Sequence, residues 1–320
     1  MLTAYLPNGE GITARAAEPA EPPAGAALWL DLLDPTPEEV AGLSRVLPVE
    51  LPTREDMQEI EASSRLYTEG EALVMSLPVV HRSTTEQPES SVVSFILLPG
   101  RLVTLRYADP LPFGTFARRL ARQPGAAGTA DQLLAGLLEA ICDRLADILE
   151  QATGDLERLS HRVFSASPGD PDLDLKDVLR QLGRAGDLAT KARESLLGLG
   201  RIAMFFATKN GLAKDVRTRI KTLHRDVASI TDHAGFLAHK VNFLLDATLG
   251  MINIEQNNII KIFTVAAVAF LPPTLIASIY GMNFHVFPEL GWRYGYVFAL
   301  VLMVVSAVLP FWYFRRRGWL

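Results

Sequence analysis

A single uncharged amide, Asn283, stands close to the end of a long apolar stretch of the sequence. It completes the tripeptide Gly281-Met282-Asn283, and no charged residue occurs from residue 262 to residue 284. Lysine or arginine would anchor the end of a membrane helix better than an amide, because charged side chains reach into the polar interface. An amide oxygen can instead accept hydrogen bonds or act as an oxygen ligand. The residue types therefore indicate that Asn283 is a ligand group rather than an anchor.

The residues before this tripeptide form a mostly polar row when they are placed on a helix. Steps of three or four residues select small or polar side chains, with Leu271 as an apolar exception. The row contains Asn257, Thr264, Leu271, Thr274 and Ser278. Small and hydroxyl residues are common where membrane helices pack together, and they also suit a pore wall built from symmetry-related copies. The periodicity leaves both interpretations open.

Two prolines follow Leu271 directly. Because Pro272 and Pro273 lack backbone N–H groups, they free carbonyl oxygens and predict a bend or a loosening of the helix. A membrane tolerates this only where neighbours or water satisfy those carbonyls. A ring of Leu271 side chains beside such a bend could form an apolar constriction that gates a pore by dewetting. Simple packing of Leu271 is the alternative.

Two charge-free runs predict two membrane-spanning helices. Residues 262–284 and 294–314 each exceed the roughly 20 residues that a helix needs to cross a bilayer. Lys261 precedes the first run and three arginines follow the second, whereas the connection has only Arg293 as a fixed positive charge. By the positive-inside rule, both termini face the cytoplasm. With no signal-peptide pattern at the start, we expect a multi-pass inner (plasma) membrane protein whose transmembrane domain spans residues 261–320.

The helix and strand patterns of residues 1–125 predict a small cytoplasmic α/β domain. Thr36 is a good N-cap and Pro37 suits the first position of a helix. Runs rich in β-branched residues and bounded by turn formers predict strands at residues 72–80, 91–98 and 101–107. A Pro-Gly pair joins the last two as a hairpin.

Long helices follow, and they predict a helical stalk over residues 126–260. We expect them at about 129–166, at about 172–209 and from residue 212 onward. The third has apolar residues at helical spacing from Val216 to Leu244, with Phe236 among them. A helix from residue 212 to residue 280 would be about 100 Å long, so other helices and other subunits must cover its apolar stripe. The fold class is an α+β membrane protein: a cytoplasmic α/β domain, a long helical stalk and two C-terminal transmembrane helices.

Composition and charge narrow the function classes. The formal net charge is −5, which argues against nucleic-acid binding, because nucleic-acid-binding proteins present a basic face. Cys142 is the only cysteine, so neither a disulfide framework nor a cysteine-rich zinc site can form within one chain. The six histidines show no zinc-hydrolase spacing. We expect no enzyme activity and no cofactor, with cations, membrane lipid and further copies of the chain as partners.

The sequence resembles the CorA-type divalent cation transporters. The strings PPTLIASIYGMNF, FPELGWRYGYVFAL and YFRRRGWL carry the resemblance, which is near-continuous from residue 242 to residue 320. The stretches LWLDLLDPTPEE and LPTREDMQEIEASSRLY are similar to the N-terminal domain of the family. Its signature is Gly-Met-Asn at the end of the first of two C-terminal helices. Three residues alone are a weak signal, but here the spans, the loop and the cytoplasmic helices accompany them.

The resemblance implies a homopentamer that carries Mg²⁺, and in many members Co²⁺ and Ni²⁺, through a central pore. The motif carries over as a selectivity filter formed by Gly281, Met282 and Asn283. Matching of the first membrane helix carries over the pore-lining positions Asn257, Thr264, Leu271 and Thr274, and Ser278 shares their face. Mg²⁺ is thus expected as a transported ion. It is also expected as a regulatory ligand of the cytoplasmic part, where no motif assigns its sites to residues.

The residue types suit a cation that keeps its waters. Mg²⁺ loses its waters reluctantly, and no Asp or Glu lies between Glu255 and Glu289 to replace them. A ring of Asn283 amides and Gly281 carbonyls can accept hydrogen bonds from the coordinated waters, so we expect Asn283 to bind the metal through them. Met282 is expected to pack behind this filter. Glu289 in the external loop would form a negative ring that concentrates cations at the mouth, with loop solvation as the alternative.

Two other functions remain open from the sequence. One is a zinc or proton-coupled divalent cation transporter of the same architecture, although the zinc branch often departs from Gly-Met-Asn. The other is a two-span membrane sensor, although an outer loop of about a dozen residues is too short for a sensory domain. The sequence does not choose among Mg²⁺, Co²⁺, Ni²⁺ and Zn²⁺ as the preferred ion.

Overall fold

The computed structural model of the chain contains two compact units. The first comprises Met1–Phe164 and Lys176–Leu245, and the second comprises Ser165–Leu175 and Asp246–Leu320. The structure describes residues 1–8, 11–16, 27–59, 61–85, 87–123, 128–165, 174–283 and 291–318. The predicted division at residues 125 and 260 stays a prediction, since compact packing does not show which residues lie in a membrane.

A seven-stranded mixed sheet belongs to the first unit. Its strands are β1 (Leu2–Asn8), β2 (Gly11–Ala16), β3 (Trp29–Leu33), β4 (Leu66–Glu69), β5 (Ala72–His81), β6 (Glu89–Leu98) and β7 (Arg101–Arg106). The spatial order is β2-β1-β3-β7-β6-β5-β4. The β3 and β7 strands are parallel, and the other neighbouring pairs are antiparallel. The parallel pair is joined by a long crossover that contains the strands in between.

The strand predictions are confirmed for β5, β6 and β7. In the predicted hairpin Leu98 pairs with Arg101, and the turn uses Gly100 with a φ of 75°, which a glycine adopts without strain. The β1 and β2 strands are not predicted from the sequence. Pro7 interrupts the β1 pattern, and β2 has the sequence GITARA with few β-branched residues, so their strand signal is weak.

Four short helices accompany the sheet. They are α1 (Pro37–Ser44), α2 (Arg54–Gln58), α3 (Ala62–Arg65) and α4 (Leu111–Arg122). Thr36 caps α1 as predicted: its hydroxyl accepts from the Glu39 backbone N–H at 3.3 Å, and the Glu39 carboxylate accepts from the Thr36 N–H at 3.1 Å. This reciprocal capping box satisfies donors that the first helical turn leaves free.

The sheet holds a buried ion pair between its two parallel strands. Arg106 donates to both carboxylate oxygens of Asp31, at 3.0 and 2.8 Å. Thr104 donates to Asp31 at 2.6 Å and accepts from the Trp29 indole N–H at 2.9 Å. Tyr5 stacks on Trp29 with ring centres 4.1 Å apart, and burial raises the pKa of Tyr5 to about 12. The two charges are paired and hydrogen-bonded, which is the condition for tolerating them in a core.

Three long helices follow, close to the predicted ranges. They are α5 (Ala130–Ser165), α6 (Leu175–Ala207) and α7 (Lys214–Tyr280). Within the first unit, Arg219 of α7 donates to both oxygens of Glu139 of α5, at 2.8 and 2.7 Å. This bidentate pair ties the two helices together.

The buried face of α7 differs from the prediction at one position. Val216 and Leu244 are buried as expected, but Phe236 is 58% exposed and Leu237 is buried beside it. Phe236 lies nine residues after the buried Val227, which is about two and a half helical turns. Half a turn therefore places Phe236 on the side of the helix opposite the face buried within this chain, and its coverage by another subunit stays a prediction.

The second unit contains the two apolar helices that the sequence predicts. One is the C-terminal part of α7, and the other is α8 (Gly295–Arg316). Both are long and apolar enough to cross a membrane, judged by length and composition. The α7 helix continues through Pro272 and Pro273, so the two prolines do not end it.

Candidate functional site

The last turn of α7 leads directly into the predicted filter. The Gly281 N–H donates to the Ala277 carbonyl at 2.9 Å, and the Met282 N–H donates to the Ile279 carbonyl at 3.2 Å. The spacing thus changes from four residues to three, which tightens the end of the helix. Asn283 follows that tightened turn, and it is exposed in the single chain. The amide is therefore placed at the end of the helix, beyond its hydrogen-bond ladder.

Gly281 meets a spatial requirement in this turn. A Cβ atom at this position would lie 3.1 Å from the Ala277 carbonyl oxygen and 3.6 Å from that of Ser278. The first distance is tighter than ordinary van der Waals contact, so a side chain would push the turn outward. Met282 is 48% exposed in the single chain. Its packing behind the filter stays a prediction for an assembly of several chains.

The predicted pore-lining residues all lie on one exposed face of α7. The exposed residues are Asn257, Thr264, Leu271, Thr274 and Ser278. The rest of the chain fully or partly covers a different stripe, which contains Asn258, Val265, Val268, Ala269, Pro272, Ile276 and Tyr280. With about 100° between successive residues of a helix, the centres of the two faces are roughly 130° apart. The packing that α7 makes within its own chain therefore uses the face opposite the polar row.

Two hydroxyl groups of this exposed face are oriented by their own helix. The Thr264 hydroxyl donates to the Ile260 carbonyl at 2.7 Å, and the Thr274 hydroxyl donates to the Phe270 carbonyl at 2.8 Å. Each hydroxyl hydrogen is thus used within the helix, whereas oxygen lone pairs remain to accept hydrogen bonds from outside. The face can therefore accept hydrogen bonds from the waters around a cation.

Leu271 projects from the same face, one residue before the two prolines, and is 66% exposed. Because Pro272 and Pro273 have no N–H groups, the carbonyls of Val268 and Ala269 lose their usual helical donors. The helix is intrinsically weakened beside Leu271, which is where a gate would need to move. The role of Leu271 as a constriction stays a prediction.

Glu289, the residue predicted at the external mouth, lies outside the described residues. The description stops at residue 283 and resumes at residue 291. On the far side of that gap, Trp292 packs near Phe298 with ring centres 5.7 Å apart, and α8 begins at Gly295.

Several carboxylates of the first unit already serve local structure. Asp56 accepts from the Thr53 N–H at 2.9 Å, and the hydrogen bonds from Thr53 hold the pKa of Asp56 below its usual value. Asp215 accepts from the Gln132 amide at 3.0 Å. Within the described part of the chain, no group of three or more His, Cys, Asp or Glu side chains could hold a metal ion. The predicted regulatory sites therefore stay unassigned.

Two arginine–aromatic pairs near the end of α8 are not singled out by the sequence reasoning. The Arg316 guanidinium lies 5.4 Å from the centre of the Trp312 ring, and that of Arg317 lies 5.5 Å from the Tyr313 ring. Both pairs have the four-residue spacing that brings helical side chains together, so the signal was present in the sequence.

Known proteins share this architecture over the whole chain. The protein is 35% identical over 320 residues to the magnesium transport protein CorA of Escherichia coli (strain K12), which covers 100% of both chains. It is 37% identical over 295 residues to the magnesium transport protein CorA of Pectobacterium atrosepticum, which covers 92% of each. The complete structure of the CorA magnesium transporter from Methanocaldococcus jannaschii has the same fold, with a TM-score of 0.73 at 19% identity. That comparison covers 100% of this chain and 99% of the other.

The family comparison extends over nearly the full sequence. The model of the family described as CorA-like Mg²⁺ transporter protein matches residues 24–316, which include strands β3 to β7, the long helices and both apolar helices. The chain belongs to the CorA-like Mg²⁺ transporter family.

Proposed function

We propose that five copies of this chain surround a central pore and conduct hydrated Mg²⁺ across the plasma membrane, with Co²⁺ and Ni²⁺ as further substrates. The observation that carries the proposal is the uncovered polar face of α7, which lies opposite the face that its own chain covers. Polar side chains are costly in hydrocarbon, so this face needs either water or neighbouring copies. A ring of copies around a water-filled axis supplies both.

The ion would be recognised through its hydration shell. Five Asn283 amides at the end of α7, together with Gly281 carbonyls, would accept hydrogen bonds from the coordinated waters. An amide has no net charge, so it binds the shell without holding a divalent ion as strongly as a carboxylate would. Weak binding favours release, which conduction requires. Co²⁺ and Ni²⁺ carry comparable shells, which is why the same ring would admit them.

The direction of transport follows from topology and charge. Lys261 and the three arginines at the end of α8 favour a cytoplasmic location for both termini by the positive-inside rule, whereas the connection between the spans has Arg293. Asn283 and the Glu289 loop then face outward, at the entry side. A divalent cation moving inward gains about 4.6 kcal/mol per 100 mV of membrane potential, twice the value for one charge. The membrane potential alone can therefore drive uptake, so we expect no enzyme activity.

Flux through purified protein tests this proposal. Full-length protein in liposomes should admit Mg²⁺ to an enclosed indicator dye, and protein-free liposomes are the control. Hexaamminecobalt(III), which has the size of a hydrated ion but does not exchange its ligands, should block this flux competitively. Normal Mg²⁺ flux without block would contradict recognition of the intact shell.

The same liposomes separate the other functions that the sequence leaves open. Zn²⁺ uptake that follows an imposed proton gradient, without Mg²⁺ flux, would favour a proton-coupled zinc carrier. No flux of any divalent cation from assembled protein would favour a membrane sensor. The relatives reported above are magnesium transport proteins, so neither alternative is favoured.

A further inference from the structure

The end of α8 concentrates positive charge beside aromatic rings. Its sequence from residue 310 is Pro-Phe-Trp-Tyr-Phe-Arg-Arg-Arg-Gly, so three arginines follow four aromatic residues without a break. Arg315, Arg316 and Arg317 are all exposed. This end of a membrane helix therefore combines two residue classes that favour the membrane–water interface.

The backbone holds the arginines at the point where the helix stops. The Arg317 N–H donates to the carbonyls of Tyr313 and Phe314, both at 3.2 Å, and the Gly318 N–H donates to the Arg315 carbonyl at 3.2 Å. Gly318 has a φ of 70°, a left-handed conformation that commonly ends helices. The three cationic side chains thus sit at the negative end of the helix dipole, where positive charge is stabilised.

The aromatic rings hold two of the guanidinium groups. Arg316 lies over the Trp312 ring and Arg317 lies over the Tyr313 ring, at 5.4 and 5.5 Å. A guanidinium that contacts a ring face keeps N–H donors at its edge for another acceptor. In the part of the chain that the structure describes, the ion pairs involve none of the three arginines. The three guanidinium groups therefore have no carboxylate partner among the described residues.

We propose that Arg315, Arg316 and Arg317, supported by Trp312 and Tyr313, bind the phosphate headgroup of anionic phospholipids. Guanidinium groups bind phosphate oxygens in a bidentate manner, and basic clusters beside membrane helices attract anionic lipids. A lipid fits better than free phosphate because the aromatic rings offer an apolar surface to the glycerol and acyl portion next to the cations. The proposal rests on the membrane insertion of α8 in the proposed function.

The two ends of α8 supply a matched control. Trp292, Tyr294 and Tyr296 give the opposite end a comparable aromatic content, but Arg293 is its single arginine. If aromatic residues beside one charge were enough, both ends would retain anionic lipid equally. The difference between the ends therefore isolates the contribution of the arginine cluster.

Lipid retention by full-length protein is the test. The protein is reconstituted in phosphatidylcholine vesicles with a minor fraction of phosphatidylglycerol and then re-extracted. The phosphatidylglycerol retained per chain is then measured by mass spectrometry. Wild type and Arg293→Gln should be enriched in phosphatidylglycerol over the vesicle composition. Each arginine strengthens association with an anionic surface about fivefold, so association should weaken by up to about 100-fold in the triple variant R315Q/R316Q/R317Q. That variant should retain phosphatidylglycerol only at the vesicle composition.

A single-arginine variant and two further measurements complete the lipid-retention test. Arg316→Gln alone should lose about fivefold, and it replaces the triple variant if that variant does not assemble on size-exclusion chromatography. Equal enrichment in an assembled arginine variant and wild type would overturn the proposal. Displacement of the lipid by inorganic phosphate would also overturn it, because the site would then bind free anions. Mg²⁺ flux measured in the same vesicles reports on the proposed function separately, since its failure would leave the retention result readable.

Discussion

Polar side chains have opposite environments in the sheet and on the first membrane helix. In the sheet, Asp31 and Arg106 are 4% and 6% exposed, and they bind each other within one chain. On α7, Asn257, Thr264 and Ser278 are exposed, away from the stripe that the chain covers. The sheet thus completes its polar interactions alone, whereas α7 presents polar groups that only water or another copy can meet. The polar groups of the sheet thus have their partners within the chain, whereas the polar row of α7 has none within the described part of the chain beyond its own helix.

The largest effect is expected when the buried carboxylate of Asp31 is removed, because this tests whether the sheet depends on its internal polar partners. Asp31→Ala leaves Arg106 in the core without its main partner, which should cost about 3–5 kcal/mol of stability. The thermal unfolding midpoint of the full-length protein in detergent, followed by tryptophan fluorescence, should fall by several degrees. Asp155→Ala is the control, because it removes an exposed pair with Arg158 whose contribution should be within about 1 kcal/mol. Equal midpoints for the two variants would show that the buried pair has no special role.

The next largest effect is expected at the proposed filter, where the proposed partner of Asn283 is the hydrated ion. Asn283→Ala removes up to one hydrogen bond to the hydrated ion from each copy, worth about 0.5–1.5 kcal/mol each. Summed over a ring, the loss should lower selective Mg²⁺ flux by about 100-fold or more while assembly is unchanged. Flux into liposomes and size-exclusion chromatography measure the two quantities.

Asn258→Ala provides the matched control for the filter variant. It removes the same amide from a partly covered position of the same helix, outside the exposed polar row. Its flux should stay close to wild type. If the Asn283→Ala variant kept its selectivity for Mg²⁺, the proposal that Asn283 forms the selectivity filter would be contradicted.

A smaller effect on stability is expected from a cluster of carboxylates in the first unit, which do not pair with one another as Asp31 and Arg106 do. Glu139, Asp143 and Asp226 line a groove of about 590 Å³ between α5 and α7. Burial, and then the charge of Glu139, raises the pKa of Asp143. A raised carboxyl pKa means that the folded state binds the proton more tightly, so stability is higher at low pH and falls as pH rises through the folded-state pKa.

Asp143→Asn should therefore stabilise the protein at pH 7 and have no effect well below the ordinary carboxyl pKa. The gain should be a few tenths of a kcal/mol, because solvent screens this mostly exposed group. Unfolding midpoints at both pH values measure it, with Glu150→Gln as an exposed control on the same helix. A stabilisation that does not vary with pH would exclude titration of Asp143 as its cause.

Much of the fold can be predicted from sequence because its signals are local. The α5, α6 and α7 helices follow from apolar periodicity, and the hairpin of β6 and β7 follows from Pro-Gly between β-branched runs. The β1 and β2 strands are missed because their local signal is weak. The Asp31–Arg106 pair is missed because the two residues are 75 positions apart and meet only through a parallel strand pairing.

The chemistry of the candidate site depends on both the sequence and the tertiary structure. By itself, the sequence determined that α7 carries a polar row ending at Asn283, because run length and helical period are properties of the chain. Only the tertiary structure decided that this row lies outside the covered stripe, because coverage of Val265 and Ile276 depends on where the rest of the chain packs.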